Sequence, residues 1–326
     1  MTPCARIEVN GSEIGTRTAK HILTVLETLT VTDEAGHRAD RLDITIDDAS
    51  GAVSIAKGDE IRVWLGYEPT PVYMGRYKAE SVRKSGPVRR LTITATAAEL
   101  RGAIRVRKTR SHHDTTLGEI AARIAAEHGL TAAVAPELAR LAIAHIDQQT
   151  ESDLAFMERL ANRSGAVFKI ADGKLLLSKT GSKTLPSGAA NVSTTIRPVD
   201  CESYDWESGT RGNHEAVVCR YREGARDKTV TAGNADATLK HRDRRLYASK
   251  AEAEASARAQ LDDFARGAVS ATIECERGVP EAFADSEVRL AGFDGEIDGA
   301  YRVKTATHRL DGGGLRTSLE LEMTGH

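Results

Sequence analysis

Alternation of apolar and polar residues predicts strands near both ends of the chain. Leu42, Ile44 and Ile46 alternate with charged or hydroxyl residues. Runs of the same kind recur over the first hundred or so residues and over the final third, separated by turn residues. A period of two is that of a strand with one buried face. These runs therefore predict antiparallel barrels or sandwiches.

The spacing becomes helical between residues 146 and 177. An apolar stripe of helical period follows Thr150 and Asp153, and consists of Leu154, Met157, Leu160 and Ala161. Thr150 is the expected N-cap, Asp153 complements the helix dipole, and Gly165 is the expected stop. We expect Leu154, Phe156, Met157 and Leu160 to be largely buried.

A hairpin is predicted directly after this helix. Val167, Phe168 and Ile170 form the first strand, Asp172-Gly173 the tight turn, and Leu175 to Leu177 the returning strand. A hairpin alone is marginal in water, so the helix should lie against it. None of these residues is chemically reactive, which predicts a folding and docking element.

Three other segments have helical signals. Thr116-Leu117-Gly118-Glu119 has capping-box form, and Pro136 fits the start of a short helix through Ile143. A third, Ala-rich helix opens at Ser249 and Glu252, with Ala257, Leu261, Phe264 and Ala265 on its buried side and Gly267 as its stop. The composition of Gly181 to Ala190 predicts a linker.

Composition narrows the class of protein. Of the 326 residues 40% are hydrophobic and 28% charged, which are globular values. The net charge of −2 argues against a dedicated nucleic-acid surface. No leader and no membrane-spanning apolar run is visible, so we expect a soluble protein made in the cytoplasm. The scattered Cys4, Cys201, Cys219 and Cys275 predict free thiols.

No catalytic constellation emerges from the sequence. His112-His113-Asp114 lacks further spaced ligands for a metal, and is interpreted as a solvated helix entry. Glu151 and Asp153 could be a glycosidase pair, but dipole compensation at a helix N-terminus accounts for both. Asp311-Gly312-Gly313-Gly314 is interpreted as a hairpin turn, because it lacks the Lys-Ser/Thr of a phosphate loop. We predict no catalytic residue, metal site or cofactor.

A transcription regulator is the main alternative. Leu117 to Ile143 can be written as helix, turn, helix, the outline of a DNA-binding motif. Against it, residues 132–143 offer only Glu137 and Arg140 as exposed base-reading side chains. A cell-wall hydrolase is the less favoured second alternative.

One segment resembles a known family. The run Glu151, Ser152, Asp153, Leu154, Ala155, Phe156, Met157, Glu158, Arg159 and Leu160, followed by Gly165 and a hairpin, resembles the signature of contractile-tail hub proteins. It is most similar to the phage late control D family and, more distantly, to the hub module of type VI secretion spike proteins. The resemblance extends to residues 114–117 and to residues 299–303 with His308, so it spans most of the chain.

The resemblance implies a fold that is mainly β with an α+β insertion. It consists of two tube-like antiparallel β-barrel domains plus a helix–hairpin α+β domain. The expected boundaries are residues 1–105 for the first barrel domain, 106–190 for the α+β domain with its linker, and 191–326 for the second barrel domain. A weak internal repeat between residues 59–94 and 286–319 leaves open whether the barrels arose by duplication.

The resemblance also implies a function. The chain would be a structural hub of a contractile tail baseplate, a homotrimer that joins a six-fold tail tube to a three-fold spike. Expected partners are the tail tube protein and the tail spike protein, with the tape measure and other baseplate proteins as further candidates. The location would be the virion tail baseplate, or a bacteriocin particle, assembled in the bacterial cytoplasm. Since the sequence ends at His326 without spike-like regions, we expect the spike to be a separate polypeptide.

Overall fold

The computed structural model describes residues 2–13, 25–36, 40–49, 53–97, 102–171, 173–179, 194–209, 214–266 and 269–323. The expected linker at residues 181–190, together with Asp172 and Gly267, lies outside these ranges. The α-helices are α1 (Leu117–Glu127), α2 (Pro136–Ala139), α3 (Asp153–Arg163) and α4 (Lys250–Arg266). None of the helices in these ranges is both long and apolar enough to cross a bilayer.

The described part of the chain is mainly β, as predicted. Its strands are β1 (Pro3–Val9), β2 (Ser12–Glu13), β3 (Leu26–Glu34), β4 (Arg41–Asp47), β5 (Glu60–Tyr67), β6 (Val72–Ser85), β7 (Arg90–Ala97), β8 (Arg107–Thr116), β9 (Thr131–Val134), β10 (Ala142–Ser152), β11 (Ala166–Ala171), β12 (Lys174–Lys179), β13 (Thr194–Ile196), β14 (Cys201–Ser208), β15 (Ala216–Glu223), β16 (Arg226–Gly233), β17 (Lys240–Tyr247), β18 (Val269–Cys275), β19 (Glu287–Leu290), β20 (Gly299–Asp311) and β21 (Gly314–Met323).

One long sheet unites the two β regions. Its strand order is β14-β18-β21-β20-β3-β4-β7-β6-β5-β1-β2, and β19 with β13 branches from β20. The regions meet where β20 pairs antiparallel with β3, from Thr305 opposite Glu34 to Asp311 opposite Thr28. We call this pairing the β3–β20 junction. Within the described ranges the path is open, so no closed barrel is found there.

The sheet has two separate hydrophobic cores. The alternating residues of β3 to β7, such as Ile44 and Ile93, fill the first core, and those of β18 to β21 fill the second. Strands β20 and β21 contribute to both: Leu310 and Leu315 lie in the first core, and Val303 lies in the second. The two β regions are therefore coupled by shared strands.

The α+β unit differs from the prediction in its second half. Strand β9 and the four-residue α2 replace the expected helix from Pro136 to Ile143, and β10 begins at Ala142. The helix-turn-helix interpretation is wrong, because no recognition helix follows α1. A ribbon of β8 and β10, not predicted, precedes α3. A three-stranded sheet in the order β11-β12-β9 contains the predicted hairpin of β11 and β12.

A further unit, beside the two β regions and the α+β unit, is the sheet β16-β15-β17, one face of which is covered by α4. The predicted start of α4 is confirmed: the amide of Glu252 donates to Ser249 Oγ at 3.2 Å. Ala257, Leu261 and Phe264 pack on the sheet. Strands β16 and β17 were not predicted.

A buried charged cluster attaches the α+β unit to the long sheet. Lys169 of β11 donates to Asp33 of β3, and its Nζ lies 3.2 Å from Oδ1 of Asp40. Asp33 also accepts from the amide of Ala284 at 2.9 Å. Burial opposes ionisation of Asp33, but the charge of Lys169 outweighs it and lowers the pKa of Asp33. Burial, and then the charge of Asp33, raises the pKa of Asp40 to about 8.

Replacement of Lys169 tests this attachment. Lys169→Met should lower the free energy of unfolding by about 3–5 kcal/mol, because the ionised Asp33 would remain buried without its cation. Chemical denaturation of purified protein measures the loss. The matched control Lys179→Met changes an exposed lysine on the neighbouring strand and should stay within about 0.5 kcal/mol. Equal stabilities for the two variants would contradict a structural role for the cluster.

Candidate functional site

Helix α3 begins at a different cap from the one predicted. Its N-cap is Ser152, whose Oγ accepts from the amide of Ala155 at 3.2 Å. Thr150 instead lies in a bulge of β10, with a φ of 50° and its amide donating to Thr109 Oγ1 at 3.2 Å. Both residues have suitable side chains, and the bulge decides which one caps the helix.

The predicted stop at Gly165 is confirmed, and two constraints favour glycine there. Helix α3 ends at Arg163, and Gly165 follows with a φ of 62°. This is the left-handed conformation that glycine adopts without strain. A Cβ at Gly165 would also lie 3.3 Å from the Cβ of Ala259 on α4. The turn after α3 is therefore also a close contact between two units.

The apolar face of α3 is buried, as predicted. Leu154, Phe156, Met157 and Leu160 are at most 8% exposed. They pack in one core with the β11–β12 hairpin and with α1, and the core residues from those elements are Leu117, Ile120, Ile124, Phe168, Ile170, Leu175 and Leu177. The helix thus covers the hairpin, and it also joins it to the rest of the α+β unit.

His112 is buried rather than solvated, which corrects the prediction. Its side chain stacks on Phe156 with ring centroids 5.1 Å apart, and neither ring nitrogen has a hydrogen-bond partner in the described protein. Burial, and then the charges of Arg110 and Arg123, lowers the pKa of His112. Its neighbour His113 points to the other face of β8, where its Nδ1 lies 3.0 Å from Nδ1 of His145.

Asp153 is the buried centre of a network of charged and polar groups that reaches the surface at Glu127. Four side chains contact its carboxylate: Lys108 at 2.6 Å, Arg110 at 2.6 Å, His128 at 2.8 Å and Gln148 at 2.9 Å. Glu127 accepts from the same two cations, Lys108 at 2.8 Å and Arg110 at 2.7 Å. We call these six residues the Asp153 cluster. Two carboxylates face two cations, so the charges balance.

The prediction that Asp153 only compensates the helix dipole was incomplete, because its carboxylate also holds the Asp153 cluster together. Burial would raise the pKa of Asp153, but hydrogen bonds from Lys108, Gln148 and His128 and the charge of Arg110 lower it to about 2. Glu127, His128 and Asp153 have potential ligand atoms within 4.8 Å of one another. Lys108 and Arg110 already bind both carboxylates, so this group is an ion-pair network in which a cation would meet positive charge.

Glu151 and Arg159 form the half-buried side of the motif. Arg159 Nη2 donates to Glu151 Oε2 at 2.7 Å and to the carbonyl of Asp147 at 2.8 Å. The guanidinium also lies 5.2 Å from the ring centre of Phe156. Both residues line an open depression with Arg105 and Arg107. Arg159 therefore ties the start of α3 to β10.

This geometry argues against a glycosidase pair. A general acid must be reachable by substrate and must hold a proton near the working pH. The carboxylate of Asp153 is 0% exposed, and its pKa of about 2 keeps it ionised. Glu151 is bound by Arg159. The arrangement can orient and lock elements, but it offers no acid and base to a sugar.

The C-terminal residues of the resemblance lie in the second core. Tyr301 is fully buried and donates to the carbonyl of Ile297 at 2.8 Å. His308 is buried on β20, with Nδ1 2.9 Å from Thr317 Oγ1 and Nε2 3.2 Å from the carbonyl of Ala282. Burial lowers the pKa of His308 to about 4, so this imidazole is neutral at physiological pH. The predicted turn at Asp311–Gly314 is confirmed as the link between β20 and β21.

Comparisons with known proteins agree with the resemblance. The sequence profile of the family described as phage tail baseplate hub (GPD) matches residues 28–313. A probable baseplate hub protein of Escherichia phage 186 is 30% identical to this chain over an alignment of 369 residues. The alignment covers 99% of this chain and 93% of the phage 186 protein. Among solved structures, a tail protein from Neisseria meningitidis is 15% identical and superimposes with a TM-score of 0.73. The match covers 99% of this chain and 97% of the Neisseria chain. An Escherichia coli component of the type VI secretion system is 12% identical with a TM-score of 0.60, covering 98% of this chain and 78% of its own.

The Asp153 cluster can be tested by one isosteric change. Asp153→Asn should cost an amount near the lower end of about 3–5 kcal/mol, because Lys108 and Arg110 would share one carboxylate but keep some contact with water. The folded pKa of about 2 lies below that of an unfolded aspartate. The stabilisation is thus present above about pH 4 and is lost as the pH falls toward 2.

Urea denaturation of wild type and Asp153→Asn between pH 2 and pH 7 measures both effects. The difference in unfolding free energy should shrink as the pH falls below about 4. Glu137→Gln, which neutralises an exposed acid on α2, is the control and should stay within about 0.5 kcal/mol. A difference independent of pH would contradict the role of the ionised carboxylate.

The apolar face of α3 can be tested at its centre. Met157→Asp should cost several kcal/mol and abolish soluble protein and tail assembly together, since it places a charge in the α+β core. Asn162→Asp introduces the same side chain at an exposed position of the same helix and should be tolerated. Soluble yield and thermal unfolding distinguish the two variants. Soluble, assembly-competent Met157→Asp protein would show that this face is not a required core.

Proposed function

Since the chain belongs to the phage tail baseplate hub family, we propose that it acts as a homotrimeric adaptor between the tail tube and the tail spike. Each chain supplies two tube-like β units. Three chains then present six such units to a six-fold tube while keeping three-fold symmetry for the spike. Closed rotational symmetry of this kind is the usual form of a homo-oligomer. A trimer of this chain can therefore match both the six-fold symmetry of the tube and the three-fold symmetry of the spike.

The shared strands β20 and β21 are the observation that carries this proposal. They contribute to the first core and to the second, and β20 pairs with β3 at the junction. An adaptor needs two tube-like units at a constant mutual angle, and shared strands supply that angle. The proposed domains remain residues 1–105, 106–190 and 191–326, with Leu310 and Leu315 added to the first core.

In this proposal the motif Glu151–Leu160 with Gly165 is a structural element. Its buried face forms the α+β core, Asp153 organises the charged network, and Arg159 holds the helix start. Proposed partners are the tail tube protein, the spike protein, and the tape measure and other baseplate proteins. Assembly takes place in the bacterial cytoplasm, into a phage tail or a tail-derived bacteriocin.

The copy number tests the adaptor directly. Mass photometry of the purified chain together with its spike protein should show three copies of this chain per spike trimer. The spike is included because an isolated subunit can remain monomeric before assembly. The spike alone, measured at the same concentration, is the control for its own mass. One or six copies of this chain per spike would contradict the adaptor.

A further inference from the structure

The sheet β16-β15-β17 has one face with exposed arginines, Arg220, Arg222, Arg242 and Arg244, although Ala216 and Val218 on the same face are buried. Helix α4 packs on its other face, where Val217, Cys219 and Tyr221 of β15 and Tyr247 of β17 are buried. Side chains alternate along a strand. The residues between these on each strand therefore point away from α4.

That outward face is strongly basic. The alternation places Arg220 and Arg222 of β15 on it, with Lys240, Arg242 and Arg244 of β17 beside them, because Ala216 pairs with Lys240, Val218 pairs with Arg242 and Asp243 points inward to Tyr247. We call these five residues the cationic face. Asp227, opposite Arg222, supplies one carboxylate and pairs with it at 2.6 Å.

Four of these cations, Arg220, Lys240, Arg242 and Arg244, have no carboxylate within ion-pair distance in the described ranges, whereas Arg222 pairs with Asp227. The guanidinium of Arg220 donates to the carbonyl of Arg244 at 3.0 Å, which draws two arginines together. Like charges on neighbouring strands repel. A partner that brought carboxylates to this face would relieve the repulsion.

The second β region carries an oppositely charged face. Asp205 and Glu207 of β14, Glu274 of β18 and Glu320 and Glu322 of β21 lie on its outer side, away from the core residues Ala271 and Ile273. We call these five residues the acidic face. Glu322 is paired with Arg302 at 3.7 Å and Lys304 at 3.6 Å, whereas Asp205 and Glu207 are exposed and have no cation within ion-pair distance among the described residues. Strand β14 ends the hydrogen-bonded path of the sheet, which leaves this face open at its edge.

We propose that the cationic face of one copy docks on the acidic face of the next copy. The two faces belong to different units of one chain, so the contact is head-to-tail and closes into a ring when the rotation permits. The charges are complementary, and exposed Leu246 beside Arg220 adds apolar area. Asp227 beside the cationic face, and the absence of an aromatic side chain from this side of β15, β16 and β17, favour protein over nucleic acid as the occupant. This inference rests on the proposed trimer and assigns its interface.

Charge reversal with rescue is the test. The variant Arg220→Glu with Arg242→Glu, and separately Glu207→Lys with Glu320→Lys, should each weaken self-association of the spike-bound chain at least tenfold. The fourfold variant has both faces reversed, so its faces are again complementary and its association should return. Arg83→Glu with Lys84→Glu, on an exposed part of β6, is the matched control and should associate like wild type. Mass photometry across a concentration series measures association, and circular dichroism confirms folding.

The outcomes separate this inference from the proposed function. Folded reversal variants that still form trimers, or a folded fourfold variant that does not recover, would overturn the interface and leave the adaptor standing. A wild-type chain that never forms trimers with its spike would overturn the adaptor itself. Fluorescence anisotropy with a labelled DNA duplex covers the other occupant: tight binding that Arg220→Glu with Arg242→Glu abolishes, with trimers intact, would assign the face to nucleic acid instead.

Discussion

The β3–β20 junction is the constraint on which the rest of the structure depends. It pairs a strand near the start of the chain with one near its end, and Asp33 lies within it. Asp33 accepts from the backbone of Ala284 and from Lys169 of the α+β unit. One carboxylate therefore links three segments that are distant in sequence. Because an unpaired buried charge is costly, an arrangement that separated Lys169 from Asp33 would be disfavoured, which favours a single orientation of the units.

The elements that were predicted correctly from the sequence are those in which the apolar periodicity coincides with burial in the structure. Ile44 and Ile93 alternate and are fully buried, and Met157 lies at the centre of its predicted stripe. The ribbon of β8 and β10 was missed because its residues pair by charge. The segment from Arg107 to Thr116 is polar or charged throughout, and the carboxylates that pair with its cations, Asp153 and Glu127, come from elsewhere in the chain. Periodicity of hydrophobicity carries no information about such pairing.

The residues of the candidate site divide in the same way. The apolar stripe of α3 and its stop at Gly165 were found from the sequence, since helical spacing and a glycine stop are local, whereas the cap was misassigned because the bulge at Thr150 is not. Lys169 was not singled out, although a lysine inside the apolar run Ala166–Ala171 is a signal that a buried partner exists. The basic sheet was missed for another reason. The net charge of −2 is a sum over the whole chain, in which the basic residues of this sheet are cancelled by acidic residues of other strands. Only the strand register shows that the basic residues lie together on one face.

Charge has two physical roles in this chain, and ionic strength separates them. The central carboxylates Asp33 and Asp153 are buried, so dissolved salt screens their ion pairs weakly, and these pairs stabilise the folded subunit over a wide range of salt. The cationic and acidic faces are exposed, where attraction falls off within about 8 Å at physiological salt. Folding and association should therefore respond differently to salt: raising it would dissociate copies while each subunit keeps its fold. The contacts that define the fold of the subunit do not depend on the proposed contacts between copies. A subunit built this way therefore folds before it assembles.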